Sequence, residues 1–328
     1  MREIPEQVLR EISRDLRKYL DEDCANLIAQ YFSILGNLFA SILAPKIKEI
    51  EKSIPSRKTL HELESELEKS AQQLNIPDLI KEKIGDCFLK LLKSNWIQEE
   101  FPKIIKSTIS KELERLKRYR EAETLLDIFH KACDRNLKLV GISWHNHYQT
   151  EQFEEFMYKL FDALRSLQEL AKYEEDFEIQ FILIQSSFKI LSEAYYRRLI
   201  SFLMDCILII EEGEKPKAKI RFIGETYTDF EKYKKKYPNA KVFFNKIVKD
   251  IRNSFAHADY EIDVESKEII IKERGKILYR LNNTQIGNEL EYLVKMSNIF
   301  IYFYFYSLLY LAEKLNLWKS VLEEIMKN

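Results

Sequence analysis

Glycine and proline are nearly missing from this chain. Each occurs 7 times in 328 residues, about 4% together where about 12% is usual. Sandwiches, barrels and glycine-rich nucleotide folds all consume turn residues, so the scarcity argues against them and predicts an all-α protein. Disorder is excluded too, because 46% of the residues are hydrophobic and 32% charged, enough to build a core and keep it in water. A surplus of either charge is also lacking: 52 basic and 53 acidic residues leave a formal charge of −1. No global field draws the chain onto nucleic acid, so any such contact must use a local patch.

Cysteine is sparse. Cys24, Cys87, Cys133 and Cys206 stand far apart, with no pair at metal-ligand spacing, which argues against zinc. Four isolated thiols are the usage of a reduced, cytoplasmic protein. Long apolar runs are few as well. Residues 24–45 carry no charge and reach the length that spans a bilayer. Yet Asn26, Gln30, Ser33, Asn37 and Ser41 recur at helical spacing and form one polar stripe, which fits a bundle helix rather than a membrane span. A second run, 296–312, is shorter and holds four tyrosines. The residues before Cys24 mix acids and bases, unlike a signal peptide. No membrane partner is expected.

What is present is mostly helical periodicity. Helices are predicted over 5–21 and 24–52, with Pro55 as a break, and then a seam through Leu60, Leu63, Leu67 and Leu74. Residues 135–149 read as a connection, carrying Gly141 and the run Trp144-His145-Asn146-His147-Tyr148. Helices resume at about 150–172 and 176–212, a loop follows around Gly213 and Pro216, and another helix is predicted over 240–256. Tyr260–Val264 and Glu268–Lys272 then give a β-hairpin signal, with Gly275 at its exit, before a last long helix over 284–314. Two domains are expected: a helical region at 1–149 with no assigned role, and a helical bundle at 150–328 with the hairpin after the helix predicted over 240–256.

The residues richest in chemistry lie at 251–260. Phe244, Ile247, Val248, Ile251 and Phe255 make one apolar helix face, leaving Lys249, Arg252, Asn253 and Ala256 on the other. A guanidinium offers fixed donors to phosphate oxygens, and an imidazole suits proton transfer near neutrality. His257 follows Arg252 by five positions, about 500° of rotation, so the two diverge by about 140° on an ideal helix. Either the helix ends before His257 and swings it round, or two copies of the motif face each other.

The string Arg252-Asn253-x-x-Ala256-His257-Ala258-Asp259-Tyr260, the hairpin after it and the long apolar helix beyond resemble the signature of HEPN domains (higher eukaryotes and prokaryotes nucleotide-binding). The similarity covers roughly 175–315 and does not reach the first 150 residues. It implies an up-and-down helical bundle that pairs with a second copy through its motif helices. It also implies a metal-independent endoribonuclease, cofactor-free and acting as a toxin or antiviral effector, with an antitoxin or regulatory protein as a possible partner. Arg252 and His257 would be catalytic and Asn253 would support them, producing a 2′,3′-cyclic phosphate and a 5′-hydroxyl. Glu193, on the domain's first long helix, is the candidate for a supporting polar residue, as are Asp259 and Tyr260. The resemblance departs at one place. Toxins of this kind with a nucleotidyltransferase antitoxin usually carry Tyr two positions after the His, where this chain has Asp259 and then Tyr260. Other members keep the fold without cleavage, so the alternative is a non-catalytic module that scaffolds a partner or binds RNA or nucleotide. Intact Arg252, Asn253 and His257 favour catalysis.

Weaker features complete the reading. Lys232, Lys234, Lys235 and Lys236, interleaved with Tyr233 and Tyr237, and Lys249 are the candidates for guiding an RNA backbone. The cluster Lys111, Arg115, Lys117, Arg118 and Arg120 is interspersed with glutamates and reads as ordinary surface pairing. His145 and His147 lack a third ligand and are expected as surface histidines on a loop, while His61 and His130 receive no role.

Overall fold

The computed structural model describes residues 6–33, 65, 69, 78–94, 99–148, 153–173, 176–213 and 220–315. Contacts divide the chain into two compact units, Met1–Thr108 with Leu317–Asn328, and Ile109–Asn316. The division falls before the expected one near 149/150, because the helix preceding that point packs into the second unit.

The first unit contains α1 (Glu6–Leu16), α2 (22–33) and α3 (Asp78–Lys93). Leu16, Leu20, Ala25, Ile28 and Leu91 form its core. In the described part of the expected polar stripe, Asn26 accepts a hydrogen bond from Ser13 at 2.6 Å. Its continuation through Asn37 and Ser41 lies outside the described residues, as do the seam at Leu60–Leu74 and His61. The expectation of four free thiols is corrected: α2 and α3 bring Cys24 and Cys87 to a Cα separation of 5.3 Å, joined as a disulfide. The compositional argument for a reducing compartment therefore loses its premise. Cys133 and Cys206 are free and buried, and burial pushes the Cys133 thiol up to about 12, so neither is poised as a nucleophile. No helix among the described residues is long and apolar enough to cross a membrane.

After α4 (Phe101–Leu116), the second unit is helical with one small sheet, matching the expected class. It runs α5 (Arg120–Tyr148), α6 (Phe153–Glu169), α7 (Phe177–Ile190), a π turn (Leu191–Tyr196) leading straight into α8 (Arg197–Glu212), α9 (Ile223–Glu231), α10 (Lys246–His257), β1 to β3, and α11 (Asn283–Lys314). Residues 135–148 are helical, not a connection. The chain kinks at Asn136, whose φ of −160° and ψ of 88° leave the helical region. Val140, Ser143, Trp144, His147 and Tyr148 are all buried, and their i, i+3, i+4, i+7, i+8 spacing is that of an inward helix stripe. α5 packs on α8, and α11 covers the π turn. Phe129, Tyr148, Phe188, Tyr195, Phe202, Phe300 and Phe303 fill the centre.

The hairpin has a third strand. β1 (Tyr260–Asp263), β2 (Glu268–Glu273) and β3 (Lys276–Asn282) form an antiparallel sheet in that order. Tyr260 pairs with Ile271 and Ile269 with Leu281. Gly275, with φ of 76°, turns the chain back into β3 rather than out of the sheet. Ile269 and Ile271 enter the core, and β2 lies against α10, fixing the end of the helix that carries the motif.

Candidate active site

α10 is set in place from both ends. Asn245 caps its start, accepting from the backbone N–H of Ile247 at 3.0 Å. This cap splits the helix expected over 240–256 into a 3₁₀ turn, Pro238–Phe243, and α10 proper. Tyr196 of the π turn donates to the carbonyl of Phe243 at 2.7 Å, and Tyr227 donates to the carbonyl of Asn245. At the far end Ala258 takes the left-handed conformation, φ 53° and ψ 34°, and its N–H returns to the carbonyl of Ser254. Ser254 Oγ donates to the carbonyl of Asp259, which also accepts from the N–H of Lys272 at 3.0 Å. A β-carbon in that conformation costs about 1–2 kcal/mol, offset in a glycine by about 0.4–1 kcal/mol of extra unfolded-state entropy. Ala258→Gly is therefore expected to stabilise the protein by about 0.5–1 kcal/mol, and Ala258→Val to destabilise it. The midpoint of urea unfolding should shift up for the first and down for the second, at unchanged slope.

The middle of α10 is gripped from the same π turn. Glu193 accepts a charge-assisted hydrogen bond from Nε of Arg252, and its other oxygen accepts from Nη1 of Arg197 at 3.1 Å. A π turn inserts one residue into a helix, and here it serves two directions, with Tyr196 reaching the start of α10 and Glu193 its centre. Arg252 also donates through Nη1 to the side-chain oxygen of Asn253 at 3.2 Å. Glu193, Arg252 and Asn253 are thus brought together, with Arg252 20% and Glu193 29% exposed along their side chains.

His257 is not part of that group. It is the last residue of α10, so the helix does not end early, and the divergence from Arg252 stands. Its ring is exposed and makes no hydrogen bond to the described residues. His257 lines a cleft of about 480 Å³ with Asn253, Asp250, Asp259, Lys272 and Arg274. Arg252 lines a different one, of about 490 Å³, with Glu193, Phe255 and Ile182. Asn253 is both a wall of the first cleft and a partner of Arg252. Asp259 accepts from the N–H of Gly275 at 3.4 Å and serves the turn. Tyr260 packs against Phe181 and Phe255 and accepts from Gln185 at 3.2 Å.

The lysine run is on the surface and mostly paired. Lys232 lies 3.9 Å from Asp229, Lys234 pairs with Glu231 and Lys236 with Glu211, while Lys235 is exposed. Lys249 lies 3.3 Å from Asp250 and over the ring of Tyr227. The pairs of Lys232, Lys234 and Lys236, exposed on the lysine side, are worth about 0–1 kcal/mol each, whereas Lys249 is largely covered beside a buried Asp250. Arg115 pairs with Glu112 at 2.6 Å, as its cluster suggested. Among the described residues, no three His, Cys, Asp or Glu are grouped to hold a metal ion.

A buried polar cluster that apolar periodicity does not reveal connects to the π turn through Arg197. His147 is not on a surface loop: it is 1% exposed and its Nε2 lies 3.0 Å from Asp205, while His145 is exposed. Ser143 donates to the same carboxylate at 2.7 Å, and Arg221 pairs with its other oxygen. Burial pushes the Asp205 carboxyl up, but the hydrogen bond and charge of His147, the charge of Arg221 and the bond from Ser143 together hold it below its ordinary value. The cluster connects to the site. The carbonyls of Arg221 and Ile220 accept from Arg197 at 2.9 and 3.2 Å, Arg197 holds Glu193, and Glu193 holds Arg252. One signal was there to find: Asp205 is the only charge in the apolar run 199–210.

Compared with protein-family models, curated proteins and solved structures, the chain matches none.

Proposed function

We propose that this protein is a metal-independent endoribonuclease of the HEPN type, cutting RNA at a site completed between two copies of the chain. The observation that carries the reading is the arrangement on α10. A guanidinium fixed by Glu193 and Asn253 and an unengaged imidazole share one rigid helix, yet line different clefts. Within one chain they do not converge. Apposition of two α10 helices would place Arg252 of one copy beside His257 of the other. There His257 would take the proton from a ribose 2′-hydroxyl or return one to the leaving 5′-oxygen, and Arg252 would stabilise the charge of the phosphorane. A toxin or antiviral role, held in check by a regulatory protein, follows from the family resemblance alone.

One observation favours the alternative, a non-catalytic dimerisation module: Glu193 already engages Nε of Arg252. The pair leaves Nη2 without a bond to the described residues, so a phosphate oxygen still has a donor to meet.

The test is incubation of the purified protein with a defined RNA oligonucleotide in EDTA. Products ending in a cyclic phosphate support the nuclease, whereas RNA left intact by an assembled dimer moves the reading to the module. The composite site makes a second expectation. Arg252→Ala and His257→Ala proteins, each inactive alone, should regain about a quarter of wild-type activity when unfolded and refolded together, since half the dimers are mixed and each holds one intact site. No recovery would place both residues of a working site in one chain.

A further inference from the structure

Phe222 is the most exposed large hydrophobic side chain among the described residues, at 63%. Burying a phenyl ring ordinarily stabilises a fold substantially, and this ring forgoes that where, among the described residues, Phe32 and Tyr173 are the other exposed aromatics. Its mounting is rigid. Phe222 precedes α9 with φ −67° and ψ 150°, and its carbonyl accepts from both the N–H and the hydroxyl of Thr226 at 3.0 Å. The guanidinium of Arg197 lies over the ring, 4.8 Å from its centre. That guanidinium is itself pinned by the carbonyls of Arg221 and Ile220 and by Glu193.

We propose that Phe222 is a stacking platform for one unpaired nucleobase of an RNA strand, an inference that rests on reading Arg252 as a phosphate-binding residue. Glu193 joins the two places. One of its oxygens holds Arg252 and the other holds Arg197, on which the ring rests. A phosphate at Arg252 would therefore have a neighbouring base within reach of a flat, water-exposed aromatic face backed by a cation. Stacking on such a face accepts any base, because every base has a π face, and it requires a base free of its duplex partner. The substrate class is therefore single-stranded RNA, with little preference for the stacked base.

The test measures binding of a single-stranded oligonucleotide with 2′-O-methyl sugars, which cannot be cut by 2′-hydroxyl attack, to the full-length protein by fluorescence anisotropy. Phe222→Ala and Phe222→Leu should each weaken binding about 5- to 150-fold. Phe222→Trp should retain the affinity, and its added indole emission should be quenched on binding. Removing the stacked base from the oligonucleotide should weaken the wild type by a similar factor and leave Phe222→Ala unchanged. The proposal is overturned if Phe222→Leu binds like the wild type, which would mean apolar contact without stacking. It is equally overturned if Phe222→Ala loses nothing or the wild type does not bind. The nuclease reading stands or falls separately: quenching in Phe222→Trp with no cleavage of ordinary RNA sinks the nuclease and keeps the platform. Cleavage with no effect of Phe222→Ala does the reverse.

Discussion

Replacing His257 by alanine is expected to lower RNA cleavage by about 10²–10⁴-fold, the contribution of one positioned proton-transfer group. By transition-state arithmetic that is about 2.7–5.5 kcal/mol of barrier. Folding stability should stay within about 0.5 kcal/mol, because an exposed ring with no bond to the described residues leaves nothing unsatisfied when it goes. The separation of the two effects is the point of the experiment. Arg252→Ala should also abolish cleavage, but it removes a partner from Glu193 and Asn253, so its melting temperature should fall as well. Arg252→Lys keeps the charge and loses the planar fork that reaches Glu193 and Asn253 together, and should recover only part of the rate. Initial rates on a labelled oligonucleotide, with circular dichroism melts of each variant, decide the matter. If His257→Ala cuts at the wild-type rate, no proton passes through His257 and the composite site is wrong.

Much of this fold was legible in the sequence because its causes are local. Scarce glycine and proline predict the helices, and the apolar face through Val248 and Ile251, both fully buried, places α10, although the polar Asp250 and Ser254 are buried with it. The misreadings came where tertiary context decides. Residues 135–149 read as a connection because of Gly141 and the run Trp144-His145-Asn146-His147-Tyr148, yet the stripe through Val140, Trp144 and Tyr148 has helical spacing once His147 and Ser143 count as buried. Their burial depends on Asp205, about 60 positions away. The third strand escapes a reading of Gly275 as the exit, although Ile277, Tyr279 and Leu281 alternate after it. The pairing of Cys24 with Cys87 crosses 63 residues and leaves no local trace. Of the candidate residues, Arg252, Asn253 and His257 stand out in the sequence as a string, while the contact of Glu193 with Arg252 is a tertiary one. Arg197 and Phe222 leave no such mark, since their contacts arise from the π turn and from the carbonyls of Ile220 and Arg221.

The buried cluster yields the largest expected effect on stability. Asp205, His147 and Arg221 are each at most 2% exposed, so Asp205→Ala strands a guanidinium in a dry interior. Removing one partner of a buried pair costs about 3–5 kcal/mol. For a unit of this size each kcal/mol lowers the melting temperature by about 2–4 °C, so a fall of about 6–20 °C is expected. A fall of under about 3 °C would show that water or a neighbouring acid, such as Asp229 at 3.4 Å from Arg221, takes over the charge. The pH dependence has a definite sign. Because the folded carboxyl is held below its ordinary value, its contribution is complete above about pH 4, the unfolded carboxylate's range, and drains as pH falls through the lower folded value. The melting temperatures of wild type and Asp205→Ala should therefore converge in acid. The loss should also reach the surface. Arg221 and Ile220 present the carbonyls that hold Arg197, Arg197 steadies Glu193, and Glu193 orients Arg252. Asp205→Ala should then lower the cleavage rate at temperatures where the protein is still folded, an effect that His147→Ala should share.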